Sequence, residues 1–487
     1  MNVRQSLFYA LLQRYFTFIL QFISNIIISR LLLPEEIGVF SLSLAALSII
    51  QVMREFGISR YLIQEKHLSD DIIRTAFGLM IVISLSFALG VFAARDVIAE
   101  FYNRPELSDI ILVLLINFFI LPFGQPAYAL LSRDMEFRKT LYIGMASVTV
   151  HSVVGVSCAF YGFSSMSLAY ASVAGTLVTS VLSLAMYPTH IKLRPSLKEW
   201  RRILSYGIFA TLSSIVGTAG GSSAEIVMGK VLTFTAVGLY SRANGLITVF
   251  QVQLIQTLSR VAFSGFAKLI REGEKIEGRY LRALSYITGF LWPIYVVLGF
   301  AAEALIVFLF GEVWADSAPV ARILCLNGMV VGCYAMLVSV YNAHGAVRRQ
   351  LANESIVQSI RILLVILAAP YGLAAVAWAQ VASSVLNGIL LYHMIRPLFA
   401  VRLREFLRAL WRSAVVAAIT LAATAAAYGV LAQIPHAHLT TLIVSAIVGL
   451  ASWIFGIWLT GHVIGPEIVL WLRKGAAALQ YRRTTLK

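Results

Sequence analysis

Charged residues and cysteines are both scarce in this chain of 487 residues. Asp, Glu, Lys and Arg make up 13% of it, against about 25% in an ordinary soluble protein. The three cysteines include no C-x-x-C pair, which argues against a disulfide framework or a cysteine-based metal site. The eight histidines lack the i, i+4 spacing of a metal pair on a helix. No metal site is therefore expected.

Motifs of catalysis are also missing. The sequence contains no Walker loop, no HExxH and no G-x-S-x-G placed between a strand and a helix. The longest predicted outer connection, ARDVIAEFYNRPE, has thirteen residues, and a membrane glycan polymerase or ligase is expected to need a larger outer loop. We therefore predict that the protein is not an enzyme and that it uses no cofactor.

Long apolar runs, by contrast, recur from one end to the other. Hydrophobic residues make up 59% of the chain, and the mean hydropathy is +0.82. A helix needs about 20 apolar residues to cross a bilayer core of about 30 Å. We predict an all-α integral membrane protein with fourteen transmembrane helices, whose approximate cores are residues 8–30, 37–57, 75–94, 108–131, 140–160, 166–187, 206–229, 237–258, 283–309, 319–343, 351–369, 373–395, 413–431 and 441–463.

The positions of the basic residues support this count. With the amino terminus in the cytoplasm, 31 of the 39 Lys and Arg residues fall on the inner side and only three in outer loops. Such a split follows the positive-inside rule, so both termini are predicted to be cytoplasmic. The net charge of +16 is then spread over short inner loops beside anionic lipid headgroups, and nucleic-acid binding is not predicted.

One sequence phrase occurs twice. LLLPEEIGVFSLSL at residues 31–44 matches VLTFTAVGLYSRAN at residues 231–244 when Gly38 is laid on Gly238. The offset spans six helices, an even number, so the two copies face the same way across the membrane, as in a parallel repeat. We therefore predict two six-helix bundles that enclose a central cleft.

The predicted domains follow from this repeat. They are a first bundle at 1–190, an inner-surface linker at 191–205, a second bundle at 206–397, and an extra helix pair with a basic cytoplasmic tail at 398–487.

Polar residues at helical spacing mark the predicted lining of the cleft. In helix 1, Arg14, Gln21 and Asn25 fall on one face at 100° per residue. Further polar residues at such spacing lie in helices 8 and 11, namely Arg242, Gln253, Glu354, Gln358 and Arg361. Three arginines inside apolar helices suit an anionic headgroup such as a diphosphate. Any one of these residues alone could instead form a structural contact between helices.

Two other features belong to this sequence-based site. Helix 7 carries the small-residue run SSIVGTAGGSSAE, and Gly217, Gly220, Gly221 and Glu225 are candidates for a hinge or for ion coupling, as is Glu354. His151 lies in the middle of helix 5, where it could be a helix contact or part of a proton relay.

The sequence resembles the polysaccharide transporter branch of the multidrug/oligosaccharidyl-lipid/polysaccharide exporter superfamily. The phrases that carry the resemblance, spread over about residues 25–330, are SRLLLPEEIGVFSLSLA, LLSRDMEFRK, PSLKEWRRILSYGI, AVGLYSRANGL, LSRVAFSGFAKL and YLRALSYITGFLWPIYVVLGFAAEALIVFLFGEVW. The last third of the chain matches mainly by its hydropathy.

The resemblance implies alternating access between two bundles in the bacterial inner membrane. The implied substrate is a polyprenyl-diphosphate-linked glycan, moved to the outer leaflet for exopolysaccharide synthesis, with a polymerase and chain-length machinery as possible partners. Arg14, Arg242 and Arg361 would then bind the diphosphate, and Gln21, Asn25, Gln253 and Gln358 the glycan. The coupling ion stays open. Three alternatives are a peptidoglycan-precursor flippase, a cation or drug antiporter on the same fold, and a scaffold of a polysaccharide-assembly complex.

Overall fold

The computed structural model describes residues 3–65, 67–187, 194–344, 347–397, 401–431 and 438–467. Over these ranges the chain is almost entirely helical, which confirms the predicted all-α class. The sixteen α-helices are α1 (Val3–Leu31), α2 (Pro34–Glu55), α3 (Ile58–Gln64), α4 (Asp70–Phe101), α5 (Glu106–Arg133), α6 (Phe137–Phe160), α7 (Met166–Met186), α8 (Trp200–Gly221), α9 (Ser223–Val231), α10 (Phe234–Arg271), α11 (Glu277–Phe310), α12 (Ala318–Ala343), α13 (Val347–Ala368), α14 (Leu373–Ile395), α15 (Leu403–Leu431) and α16 (His438–Thr460).

Among the described residues, twelve helical stretches are long and apolar enough to cross a membrane. They match twelve of the fourteen predicted spans. The other two predicted spans, 206–229 and 237–258, form the helices α8, α9 and α10 but are not among the twelve. The count of fourteen therefore stays a prediction.

The second predicted span, 37–57, ends close to its predicted limit, whereas the seventh is interrupted. After α2 the chain turns at Phe56 and Gly57, which have left-handed φ values of 37° and 66°, and it resumes as α3. The seventh span breaks at Ser222, between α8 and α9. The break follows the pair Gly220–Gly221, and glycine costs about 1 kcal/mol relative to alanine inside a helix.

The chain divides into two compact units. Unit 1 comprises Met1–Ser241 and Val365–Leu373, and unit 2 comprises Arg242–Leu364 and Ala374–Lys487. The domain limits expected from the sequence stay a prediction.

Within unit 1, the two copies of the repeated phrase lie against each other. A Cβ atom on Gly38 would overlap the carbonyl oxygen of Phe234, and one on Gly238 would overlap that of Pro34. Close by, the hydroxyl of Ser41 donates to that of Ser241 at 3.0 Å. The start of α2 therefore crosses the start of α10 with backbone against backbone, which only glycine allows.

Within unit 2, α11 packs against α12, α15 and α16. A buried polar cluster joins three of these parts of the chain. Thr288 of α11 donates to Ser413 of α15 at 2.8 Å, and Nε2 of His462, just after α16, lies 3.0 Å from the same Ser413 hydroxyl. The N–H of Ile464 donates to Nδ1 of His462 at 3.3 Å, so the proton of the neutral ring lies on Nε2. Burial, assisted by the charge of Arg412, lowers the pKa of His462 to about 4.

Candidate polar cavity and buried arginines

Unit 1 contains a polar cavity of about 380 Å³ between α1, α5, α6 and α7. Its volume falls within the range of about 300–1,000 Å³ that small-molecule sites occupy. Nine of its lining residues are polar: Gln13, Thr17, Gln21, Tyr128, Ser147, His151, Ser172, Thr176 and Thr179. None of the described lining residues is Asp, Glu, Lys or Arg.

Glycines bring the walls of this cavity together. A Cβ atom on Gly144 of α6 would overlap the side-chain amide of Gln13, so the glycine leaves room for that amide. Gly175 of α7 would meet His151 at 3.1 Å in the same way. On the fourth wall, Pro122 and Pro126 lie inside α5, where each removes a backbone hydrogen-bond donor and disturbs the helix near the cavity.

Three hydroxyl groups of the wall are already engaged as donors. Ser147 donates to the carbonyl oxygen of Gly175 at 2.9 Å, and Thr179 donates to the Ser147 hydroxyl at 2.8 Å. Thr176 donates to the carbonyl oxygen of Ser172 at 2.9 Å. A hydroxyl has one proton and two lone pairs, so these oxygens can still accept hydrogen bonds from a ligand.

The residues predicted on helix 1 have different environments. Gln21 lines the cavity together with Gln13 and Thr17 of the same helix face, and Gln21 is exposed while the other two are half-buried. Arg14 is half-buried in α1 but is not part of the cavity lining. Asn25 is exposed. The structure thus places only one of the three predicted residues in the cavity.

Arg242 lies in unit 2, in α10, and is half-buried. Its guanidinium group lies 5.6 Å from the ring centre of Trp314 and 6.0 Å from that of Phe310. Cation–π contact stabilises a charge at such distances, yet the buried Nε atom has no hydrogen-bond partner. Gln253, further along α10, is also half-buried.

The three residues predicted on helix 11 all lie in α13. The amide nitrogen of Gln358 donates to the carboxylate of Glu354 at 3.1 Å, and Gln358 is buried. The other amide atom, Oε1 of Gln358, has no hydrogen-bond partner, and neither has Nε of the half-buried Arg361. Two turns of α13 therefore contain a linked pair and two unsatisfied polar atoms.

The predicted hinge residues surround the break between α8 and α9. A Cβ atom on Gly217 or Gly221 would meet nothing within 4 Å, so these glycines are not required for close packing. Gly220 is buried, and its carbonyl oxygen accepts a hydrogen bond from Ser223 at 2.8 Å. Glu225 follows in α9, half-buried, and its Oε2 atom has no hydrogen-bond partner.

Comparison with known proteins decides the family. The sequence model of a family described as polysaccharide biosynthesis protein matches residues 27–319, which is more than half of the chain. The chain belongs to this polysaccharide biosynthesis family. It is 25% identical over 403 residues to the lipopolysaccharide biosynthesis protein WzxC of Escherichia coli, covering 79% of each chain. It is 25% identical over 339 residues to the succinoglycan biosynthesis transport protein ExoT of Rhizobium meliloti, covering 68% of this chain and 67% of that one.

Two solved structures show the same fold. The lipid II flippase MurJ in an inward closed conformation superimposes with a TM-score of 0.74 at 13% identity, over 95% of this chain and all of that one. A multidrug resistance MATE transporter in an inward-facing conformation gives 0.61 at 17% identity, over 82% of this chain and 94% of that one. This polysaccharide biosynthesis protein is thus a multi-pass membrane transporter, and the resemblance found in its sequence is confirmed.

Sequence reasoning missed several polar residues of this polysaccharide biosynthesis protein. The cavity residues Gln13, Tyr128 and Thr176 are spread over three helices, so the pattern of any single helix could reveal only part of the lining. Arg54 was also not singled out, although it lies in α2, where it is 6% exposed and its guanidinium group lies 5.2 Å from the ring centre of Phe118. The i, i+4, i+8 spacing of Gln13, Thr17 and Gln21 was the one available signal.

Proposed function

We propose that the protein is a flippase that moves polyprenyl-diphosphate-linked oligosaccharide repeat units across the bacterial inner membrane. Family membership supports a transporter of polysaccharide biosynthesis. The names of its relatives, a lipopolysaccharide biosynthesis protein and a succinoglycan transport protein, support exported glycans as the cargo. The proposal includes the identity of this substrate and the location of both chain termini in the cytoplasm.

The observation that carries the proposal is the pair of unsatisfied arginine atoms in unit 2. Nε of Arg242 and Nε of Arg361 are buried without a hydrogen-bond partner. Leaving a buried charged donor unpaired costs more than about 1–3 kcal/mol, so a ligand that accepts from such donors gains that energy. A diphosphate presents several anionic oxygens to arginine and fits this requirement.

The proposed cycle is alternating access. The diphosphate head and glycan enter from the inner leaflet while the prenyl tail stays in lipid. The negative charge of the diphosphate is compensated by Arg14, Arg242 and Arg361. The glycan is contacted by Gln21, Asn25, Gln253 and Gln358. Flexing around Gly217–Gly221 accompanies the change between states, with Glu225 and Glu354 as the carboxylates available for ion coupling. A polysaccharide polymerase then consumes the exported unit.

The test uses a host that lacks this gene. Its lipid-linked sugars are extracted and sized, and intact cells are treated with an outside glycosidase. We expect one completed repeat unit to accumulate on its diphosphate carrier, protected from the enzyme. A normal pool together with normal surface polymer would refute the proposal.

Complementation provides the matched control. Arg361→Ala should fail to restore export, whereas Arg322→Ala should restore it, because Arg322 pairs with Glu303 at 3.0 Å on an exposed part of unit 2. Loss of viability on deletion would indicate a peptidoglycan precursor instead. A changed resistance to cationic drugs with an unchanged sugar pool would indicate an antiporter, and equal export by both variants would favour a scaffold role.

A further inference from the structure

We infer that the cavity of unit 1 is the subsite for the glycan, and that it takes uncharged, hydroxyl-bearing sugar residues. The inference rests on the proposed function and deepens it, because it locates one part of the substrate in one part of the fold. It rests on residues of α5, α6 and α7, among which the sequence singled out His151 alone, together with Gln13, Thr17 and Gln21 of α1.

The charge of the cavity wall selects the ligand class. None of the described residues that line it is Asp, Glu, Lys or Arg, so it offers neither a carboxylate for a cation nor a guanidinium group for a diphosphate. A charged ligand placed there would lose its hydration without a counter-charge, which is strongly unfavourable. A neutral polar ligand loses only hydrogen bonds with water, and the wall can replace them.

The hydrogen-bonding pattern narrows the class further. Three hydroxyl groups donate their protons to acceptors within the unit, so their oxygen lone pairs face the ligand as acceptors; they belong to Ser147, Thr176 and Thr179. The side-chain amides of Gln13 and Gln21 supply both donors and acceptors. Sugar hydroxyls also donate and accept, so they match a wall that mixes spare acceptors with amides. An apolar ligand would leave these groups unpaired.

Gly175 and Asn117 hold this wall in place. A Cβ atom on Gly175 would lie 3.1 Å from the Cβ atom of His151, so the glycine lets α7 pack closely on α6. Asn117 of α5, which is 5% exposed, donates to the hydroxyl of Ser172 at 3.3 Å from behind the wall. The cavity is therefore supported from the helices behind it, and exposed Gln21 at its edge leaves it accessible from outside the unit.

The experiment measures transport in proteoliposomes with two probes. One is polyprenyl diphosphate carrying the complete repeat unit, extracted from the host, and the other is the same carrier with a single sugar. The variants are Thr176→Val, Gln21→Leu and their combination. Thr140→Val is the matched control, because Thr140 is a buried threonine of α6 that also donates to a carbonyl oxygen of its own helix and does not line the cavity.

We expect the double variant to raise the KM for the complete repeat unit by roughly tenfold, since each net hydrogen bond corresponds to a factor of about two to ten. Transport of the single-sugar carrier should stay within about twofold of wild type, and the control should match wild type with both probes. Thermal unfolding shows whether each variant is folded.

The remaining outcomes separate the two proposals. If wild-type protein moves neither probe, the proposed function fails. If wild type moves both probes and the variants behave like Thr140→Val, the glycan subsite is wrong while the flippase function stands. Equal loss with both probes would also overturn the subsite, because a glycan contact must depend on glycan length. Equally rapid transport of repeat units made only of uronic acids would overturn the assignment to uncharged sugars.

Discussion

Replacing Gly238 with alanine should loosen the crossing of α2 and α10. The new methyl group would overlap the carbonyl oxygen of Pro34 and lie 2.8 Å from its carbonyl carbon, where ordinary contacts begin at 3.4 Å. Both clashing atoms belong to the backbone, so no side-chain rotation can relieve the overlap. The two helices must move apart.

The size of the effect follows from three contributions. Overpacking costs about 1–3 kcal/mol. Loss of the 3.0 Å hydrogen bond between Ser41 and Ser241 adds about 1 kcal/mol. The better helix propensity of alanine returns about 1 kcal/mol. We therefore expect Gly238→Ala to destabilise unit 1 by about 1–3 kcal/mol, and Gly38→Ala to do the same.

The assay is thermal unfolding of purified protein in detergent, followed by export in the complemented deletion host. Gly90→Ala is the matched control, because Gly90 also lies in a helix, α4, but a Cβ atom there would meet nothing within 4 Å. We expect a lower unfolding midpoint for Gly238→Ala and an equal or higher one for Gly90→Ala.

An unchanged midpoint for Gly238→Ala would refute this reasoning. It would mean that the backbones do not approach each other at these glycines in the folded protein. Equal destabilisation by Gly90→Ala would also refute it, because the effect would then come from the helix interior and not from the crossing.

Three further predictions concern other parts of the molecule. Cysteines introduced together as Ser41→Cys and Ser241→Cys should cross-link on mild oxidation, whereas the pair Ser41→Cys and Ser222→Cys should not, because Ser222 contacts Ser48, about two turns further along α2. The absence of a cross-link in the first pair would contradict the observed hydroxyl contact. Stability should fall as the pH drops from 6.5 towards 4, because the unfolded chain protonates His462 first, and His462→Gln should flatten this dependence in unfolding scans; an unchanged slope would exclude His462 as its source. Arg14→Ala should abolish export from a folded protein while Arg30→Ala, at the exposed end of α1, retains it; normal export by Arg14→Ala would remove Arg14 from the site.

Much of the fold could be predicted because a membrane requires apolar runs of a fixed length and a bias of Lys and Arg towards the inner side. Apolar runs located the helices, and the repeated phrase around Gly38 and Gly238 showed that two places in the chain have the same local sequence pattern. The sequence could not show that the two copies pack against each other, since a missing side chain does not identify its neighbour. It also gave no sign of the turn at Phe56, which has a left-handed φ in a residue that rarely adopts one.

The candidate site was only partly predictable for a related reason. Arg242 stood out as a charge in an apolar helix, but its environment, the rings of Phe310 and Trp314, comes from residues about 70 positions away. The polar cavity was harder to foresee, because serines and threonines also occur in helices as residues that bond to their own backbone. Only the packing of four helices distinguishes the half-buried Thr176, which lines the cavity, from the buried Thr140, which does not.

The internal bonding of the cavity wall has a consequence for the return half of a transport cycle. Ser147, Thr176 and Thr179 keep their donor bonds whether or not a sugar is present, because their acceptors belong to the protein. When the cargo leaves, the hydroxyl protons keep their hydrogen-bond acceptors, and water can donate to the free oxygen lone pairs at little cost in free energy. Under the proposed function, a carrier built this way can reset unloaded, and a polymerase that consumes the exported unit can set the net direction of transport.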